Sequence, residues 1–162
     1  MTPITCHTHE VKDIIAGRQT MLRRTVKFPK DFDGKSIYLN GSLGLKYSSN
    51  EFEGCIHRLF PKYEIGDVLW VKETWVYGCL LDENEHIQDA RYYYRADKDW
   101  ADIEWYCGYK EYPQSSPRWR SSTHMPRTAA RLFLKITGIR VESIGDGYEW
   151  VYEFEKQKLN DT

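Results

Sequence analysis

No C-x-x-C pair occurs among the four cysteines, Cys6, Cys55, Cys79 and Cys107. Two have histidines nearby, in Cys6-His7-Thr8-His9 and Cys55-Ile56-His57. Zinc sites are built on tighter paired spacings, so neither a metal centre nor a cofactor is expected, and the thiols read as free. No apolar run approaches the roughly 20 residues of a membrane span. Residues 1–20 also lack the continuous apolar stretch of a secretory signal. The expectation is a cytoplasmic protein with reduced cysteines and no membrane partner. Net charge is nearly absent, at −1, so the chain as a whole does not attract polyanions. Repeats, low-complexity tracts and linkers are lacking too, and 1–162 reads as one domain.

Aromatic residues are abundant. They make up 15% of the 162 residues, with twelve Tyr and six Trp. Flat side chains suit a pleated, half-buried surface, which favours strands. Charge is unevenly spread. Arg18, Arg23, Arg24, Lys27 and Lys30 form one basic stretch, and Arg118, Arg120, Arg127, Arg131, Lys135 and Arg140 another. An acidic region lies between them, including Asp82, Glu83, Glu85, Asp89, Asp97, Asp99, Asp102 and Glu104. A local basic face can recruit phosphate even on a neutral protein.

Along the chain, Thr8 is an expected helix N-cap, Val11, Ile14 and Ile15 share one helical face, and Gly17 ends the helix. Residues 28–50 read as a peripheral ribbon: strand Ser36–Asn40, the turn Asn40-Gly41, then a strand around Leu43–Tyr47. Gly66-Asp67 launches the strongest strand, Val68–Val76, whose two faces are both partly apolar. Glu73 stands among those apolar neighbours and needs a partner or water. Residues 82–104 carry Tyr92-Tyr93-Tyr94, and 108–126 read as an ordered loop. A long strand follows, about Arg131–Ile144, with a bulge or bend at Thr137-Gly138. Gly145-Asp146-Gly147 is a tight turn, and Tyr148–Glu155 is the last strand. One early helix and many short strands indicate an α+β chain forming a small mixed barrel; pattern alone leaves OB-like and sandwich folds open.

Three segments together resemble the ASCH domain of the PUA-like group, especially its phage and prophage members. Ile14-Ile15-Ala16-Gly17-Arg18-Gln19-Thr20 with Arg23-Arg24 is similar to the signature G-[RK]-K-T-x-T-x-R. Gly66-Asp67-Val68-Leu69-Trp70-Val71-Lys72-Glu73-Thr74-Trp75 resembles G-D-x-L-W-V-[RK]-E-T-W. Trp119-Arg120-Ser121-Ser122-Thr123-His124-Met125-Pro126-Arg127 is close to W-[RK]-P-S-I-H-M-P. The closing strand Trp150–Glu155 also matches. The resemblance implies a PUA-like β-barrel with one or two short helices and a cleft beside the first helix. It also implies association with RNA or modified nucleobases. One branch of the family deacetylates N4-acetylcytidine with a Lys, a Thr and a Glu. Here Gln19 and Leu22 stand at the Lys and Thr positions, so that triad is not present.

The candidate binding residues are Arg18, Arg23, Arg24, Glu73, Trp119, Arg120, His124 and Arg127. Guanidinium forks suit phosphates and stack on bases. Glu73 suits an exocyclic amine, or else it pairs with Arg24 or Arg120 inside the fold. Trp119 suits stacking, whereas Trp75 suits the core. The expected function is a non-catalytic module for RNA, single-stranded DNA or a nucleobase-like ligand. The alternatives are a hydrolase acting on a nucleoside or RNA through Glu73 or His124, and a phage accessory protein that binds a host protein.

Overall fold

A computed structural model describes residues 1–30, 32–40, 44–49, 56–80, 91–97, 105–106 and 118–157. Among these the chain is mostly β-structure with one α-helix, an α+β arrangement. The strands are β1 (Thr2–Thr5), β2 (Met21–Thr25), β3 (Phe32–Asn40), β4 (Gly44–Ser49), β5 (Ile56–Leu59), β6 (Val68–Lys72), β7 (Trp75–Leu80), β8 (Arg91–Tyr94), β9 (Trp105–Tyr106), β10 (Phe133–Ile144) and β11 (Gly147–Gln157); helix α1 is Thr8–Ile15. Hydrogen bonding orders them as β1-β6-β10-β11-β2, β3-β4-β5 and β8-β7-β9. In the first sheet β1 and β2 stand at the ends, so the described strands do not close a barrel. No helix among the described residues is long and apolar enough to cross a membrane.

Chain contacts group the residues into two compact units. Unit 1 takes Met1–Gln19 and Leu69–Phe133; unit 2 takes Thr20–Val68 and Leu134–Gln157.

In unit 1, β1 runs parallel to β6, from Thr2 opposite Leu69 to Thr5 opposite Lys72. The Cys6 N–H extends that ladder to the Lys72 carbonyl at 3.0 Å. Helix α1 follows, with Val11 and Ile14 fully buried. Its N-cap is His7 rather than the expected Thr8, because Glu10 reaches back to accept the His7 N–H at 2.8 Å. Ile15, expected on the buried face, is 44% exposed: it falls one residue past Ile14, outside the buried stripe of Glu10, Val11 and Ile14. Gly17 ends the helix at φ +74°, the left-handed conformation that favours glycine.

The expected single strand Val68–Val76 is two strands. β6 stops at Lys72 and β7 restarts at Trp75 in another sheet. Periodicity carries across residues 73–74, but tertiary bonds win: the Glu73 N–H goes to Met125, and the Thr74 carbonyl accepts from Arg95 at 3.0 Å.

In unit 2, β11 and β2 pair antiparallel, with Trp150 opposite Arg24 and Tyr152 opposite Leu22. Leu22, Leu134, Ile136, Val151 and Tyr152 form its buried centre. The Tyr152 hydroxyl accepts the Lys62 N–H at 3.2 Å, and its ring meets Tyr63 edge-on at 5.2 Å. The hairpin within 28–50 forms as β3 and β4, with Asn40 opposite Gly44, and β5 adds a third strand; Gly41 itself lies outside the described residues. The Gly145-Asp146 turn links β10 to β11, with Gly145 at φ +54°. On β10, a Cβ at Gly138 would stand 2.6 Å from Oε2 of Glu153, so that carboxylate fills the space a side chain would take.

Candidate functional site

The functional candidates in unit 1 are organised by the ribbon of β7 and β8. Trp75 pairs with Tyr94, and Tyr77 with Tyr92. Residues directly opposite in a ladder share a face, and so do residues two apart. Four aromatic rings therefore line one face of this ribbon. Trp75 meets Tyr92 edge-on at 5.7 Å, and Tyr92 meets Tyr77 at 5.1 Å. Trp75 is buried and Tyr77 is 53% exposed, so the face runs from core to solvent. The other face buries Val76 and Tyr93. The run Tyr92-Tyr93-Tyr94 signals a strand but, being three identical residues, not which face is buried; the register with β7 decides that.

Residues 118–130 lie over the buried end of that face. Trp75 and Arg120 exchange backbone bonds of 3.3 and 2.8 Å. Two 3-10 turns follow, Ser122–His124 and Arg127–Ala129. The Ser121 hydroxyl accepts the Thr123 N–H and caps the first turn. Met125 and Ala129 are buried against Trp75, with Tyr92 and Tyr94 packed beside them. Burial of a Met side chain contributes about 1.5–3 kcal/mol. Polar contacts fix the register: Tyr94 Oη donates to the Ala129 carbonyl at 2.6 Å, the Glu73 N–H donates to the Met125 sulfur at 3.2 Å, and Lys72 Nζ donates to the Thr123 carbonyl. The lone Met of the loop thus anchors it, and its neighbours face outward.

Glu73 is 1% exposed. Its partner is Arg131, not Arg24 or Arg120. Arg131 Nε and Nη2 reach the two Glu73 oxygens, each at 2.9 Å, in a bidentate fork. Arg131 Nη1 reaches Asp97 Oδ1 at 2.6 Å, and the guanidinium carbon lies 3.9 Å from the Tyr94 ring centroid. Burial pushes the Glu73 carboxyl above its ordinary value, against the pull of Arg131. Burial also disfavours charge on Arg131, but there the bonds and charge of Glu73 and Asp97 prevail and raise its value. The difference follows exposure: the Arg131 side chain keeps 29% and Glu73 almost none, so burial weighs more on the carboxylate. Tyr94 is pushed up to about 12, chiefly by burial. Since both its oxygens are engaged by a fixed guanidinium, Glu73 suits a positioning role better than that of a proton acceptor.

The remaining sequence candidates fall in both units. Arg120 is exposed at unit 1's surface, its guanidinium 5.3 Å from the Trp75 ring centroid. His124 and Arg127 are exposed at the end of the first 3-10 turn and the start of the second, and Trp119 is half-buried. Glu73, Trp119, Arg120, His124 and Arg127 thus belong to one stretch of unit 1 around Trp75 and Met125. Arg18, past the end of α1, pairs with Asp13 at 2.5 Å. Arg23 and Arg24 lie on β2 of unit 2: Arg23 pairs with Glu142 at 2.5 Å, and Arg24 donates to the Arg23 carbonyl at 2.7 Å. Among the described residues, no group of three His, Cys, Asp or Glu side chains is placed to hold a metal ion. The sequence reading missed Arg131 as a site residue, although it belongs to the second basic stretch and opens the approach to β10. No family model, curated protein or solved structure matches the chain.

Proposed function

We propose that this chain is a nucleic-acid-binding module of the cytoplasm, with single-stranded RNA as the favoured ligand. Single-stranded DNA or a nucleobase-like group would use the same chemistry. The reading includes the PUA-like ASCH fold that the three motifs resemble. One observation carries it. Residues 118–131 contain four arginines and a histidine with no carboxylate, and the loop is pinned beside an aromatic face that ends at an exposed tyrosine. Cations that reach phosphate, beside rings that stack on bases, are what single-strand recognition requires.

In this reading Arg120, His124 and Arg127 contact the backbone of the strand. Met125, Glu73 and Arg131 hold the loop. The test is fluorescence anisotropy of a labelled 12-residue RNA at increasing salt. Affinity should fall linearly on a log–log plot, and Arg120→Ala or Arg127→Ala should each flatten the slope by about 0.7. A salt-independent affinity, or slopes unmoved by both substitutions, would remove this reading.

A further inference from the structure

We infer that Arg131 is a stacking platform for an unpaired nucleobase, an assignment that rests on the nucleic-acid reading above. Its guanidinium is held in plane from two sides, by Glu73 through Nε and Nη2 and by Asp97 through Nη1. Tyr94 covers one face at 3.9 Å, and the Tyr94 hydroxyl is itself tied to the Ala129 carbonyl. Yet the Arg131 side chain keeps 29% exposure. Tyr94 occupies one face and Glu73 and Asp97 take three of the N–H groups, and the assignment places the base on the face opposite Tyr94.

Three of the five N–H donors of this guanidinium already serve carboxylates, Nε and Nη2 on Glu73 and Nη1 on Asp97, so less of its edge is left for a bidentate grip on phosphate. Its open face is planar and weakly hydrated, and it suits a flat heteroaromatic ring. The cost of burying Glu73 is understandable on these terms. Two carboxylates fix the orientation of the plane before the ligand arrives, so little side-chain freedom is lost on stacking. The ligand class is therefore a planar base in a single strand, ordered Tyr94, Arg131, base.

The test compares ten-residue oligoadenylate with an abasic ribose-phosphate chain of equal length. The protein should bind the adenylate about tenfold more tightly, the gain of roughly one stacked base. The Arg131 Nε–H resonance should move upfield with adenylate and stay in place with the abasic chain. Arg131→Lys should abolish the preference and keep the salt slope. Asp97→Asn, at a more exposed partner, should reduce the preference by a few fold; with the resonance, it decides the matter if Arg131→Lys does not fold. Equal affinity for the two chains, or adenylate binding with an unmoved Nε–H signal, would overturn the Arg131 assignment and leave the nucleic-acid reading standing. Failure to bind either chain would overturn both.

Discussion

The sulfur of Met125 receives the backbone N–H of Glu73 at 3.2 Å. That contact joins two features of the fold. It ends the strand that begins at Val68, and it seats the loop carrying Arg120, His124 and Arg127. A thioether is a weak acceptor, but here it meets a buried donor that no strand neighbour serves.

Replacing Met125 by Leu keeps the volume and removes the acceptor. A loss of about 1 kcal/mol is expected, the low end for stranding a buried N–H. Met125→Ala also opens a cavity beside Trp75 and should cost about 2–5 kcal/mol. Urea denaturation measures both. If the Leu variant matches the parent, the sulfur adds nothing beyond packing.

Arg131→Met leaves Glu73 buried with no opposite charge and should cost about 3–5 kcal/mol at neutral pH. Asp97→Asn leaves the bidentate pair intact and should cost less. The pH dependence has a definite sign. Burial already raises the folded-state value of Glu73 above its ordinary 4.5, and losing Arg131 raises it further. Stability tied to a raised carboxyl is fully present below 4.5 and is lost as pH rises through the folded value. The deficit of the Met variant, measured by thermal melting against the parent, should therefore shrink as pH is lowered towards 4. A deficit independent of pH would mean that Glu73 does not titrate in this variant.

Tyr94 holds its proton up to about 12. A raised phenol stabilises the fold below its unfolded value near 10 and loses that contribution as pH climbs through about 12. Ultraviolet titration of the phenolate band should lose one late-ionising tyrosine in Tyr94→Phe, while Tyr152, also raised by burial, keeps its late ionisation. The Phe variant should also lose its bond to the Ala129 carbonyl, at about 0.5–1.5 kcal/mol. A late amplitude undiminished in Tyr94→Phe would assign the titration near 12 to another ring.

Gly138→Ala should displace the Glu153 carboxylate, which would stand 2.6 Å from the new methyl, and break its pair with Arg140. An exposed ion pair contributes little, so only a small loss of stability is expected. Combining it with Glu153→Ala should remove the steric part. Calorimetric melting of the two single variants and the double variant measures this, and strictly additive losses would show that the two side chains do not collide.

Local features of the fold were legible in the sequence. The helix ended by Gly17, the ribbon around Asn40 and the turn at Gly145 are each set by a few neighbouring residues, and all three formed. What escaped was decided over distance. The apolar run through residues 68–76 hides its own break, because the groups that interrupt it, Met125 and Arg95, come from far along the chain. The partner of Glu73 sits 58 residues away, and residue type alone could not choose Arg131 over Arg24 or Arg120. Likewise, Thr2–Thr5 has no strong strand pattern and owes its form to β6. Among the site candidates, the outward placement of Arg120, His124 and Arg127 follows from Met125 and Ala129 turning inward.

The parallel ladder between β1 and β6 has a consequence for biosynthesis. As the chain leaves the ribosome, Thr2–Thr5 emerges long before its hydrogen-bonding mate, Leu69–Lys72. The leading segment must wait in water, its amides solvated, while the intervening stretch is translated. Docking of that segment therefore cannot precede synthesis of Leu69–Lys72, and a change that weakens this ladder acts after that point rather than during the first residues of translation.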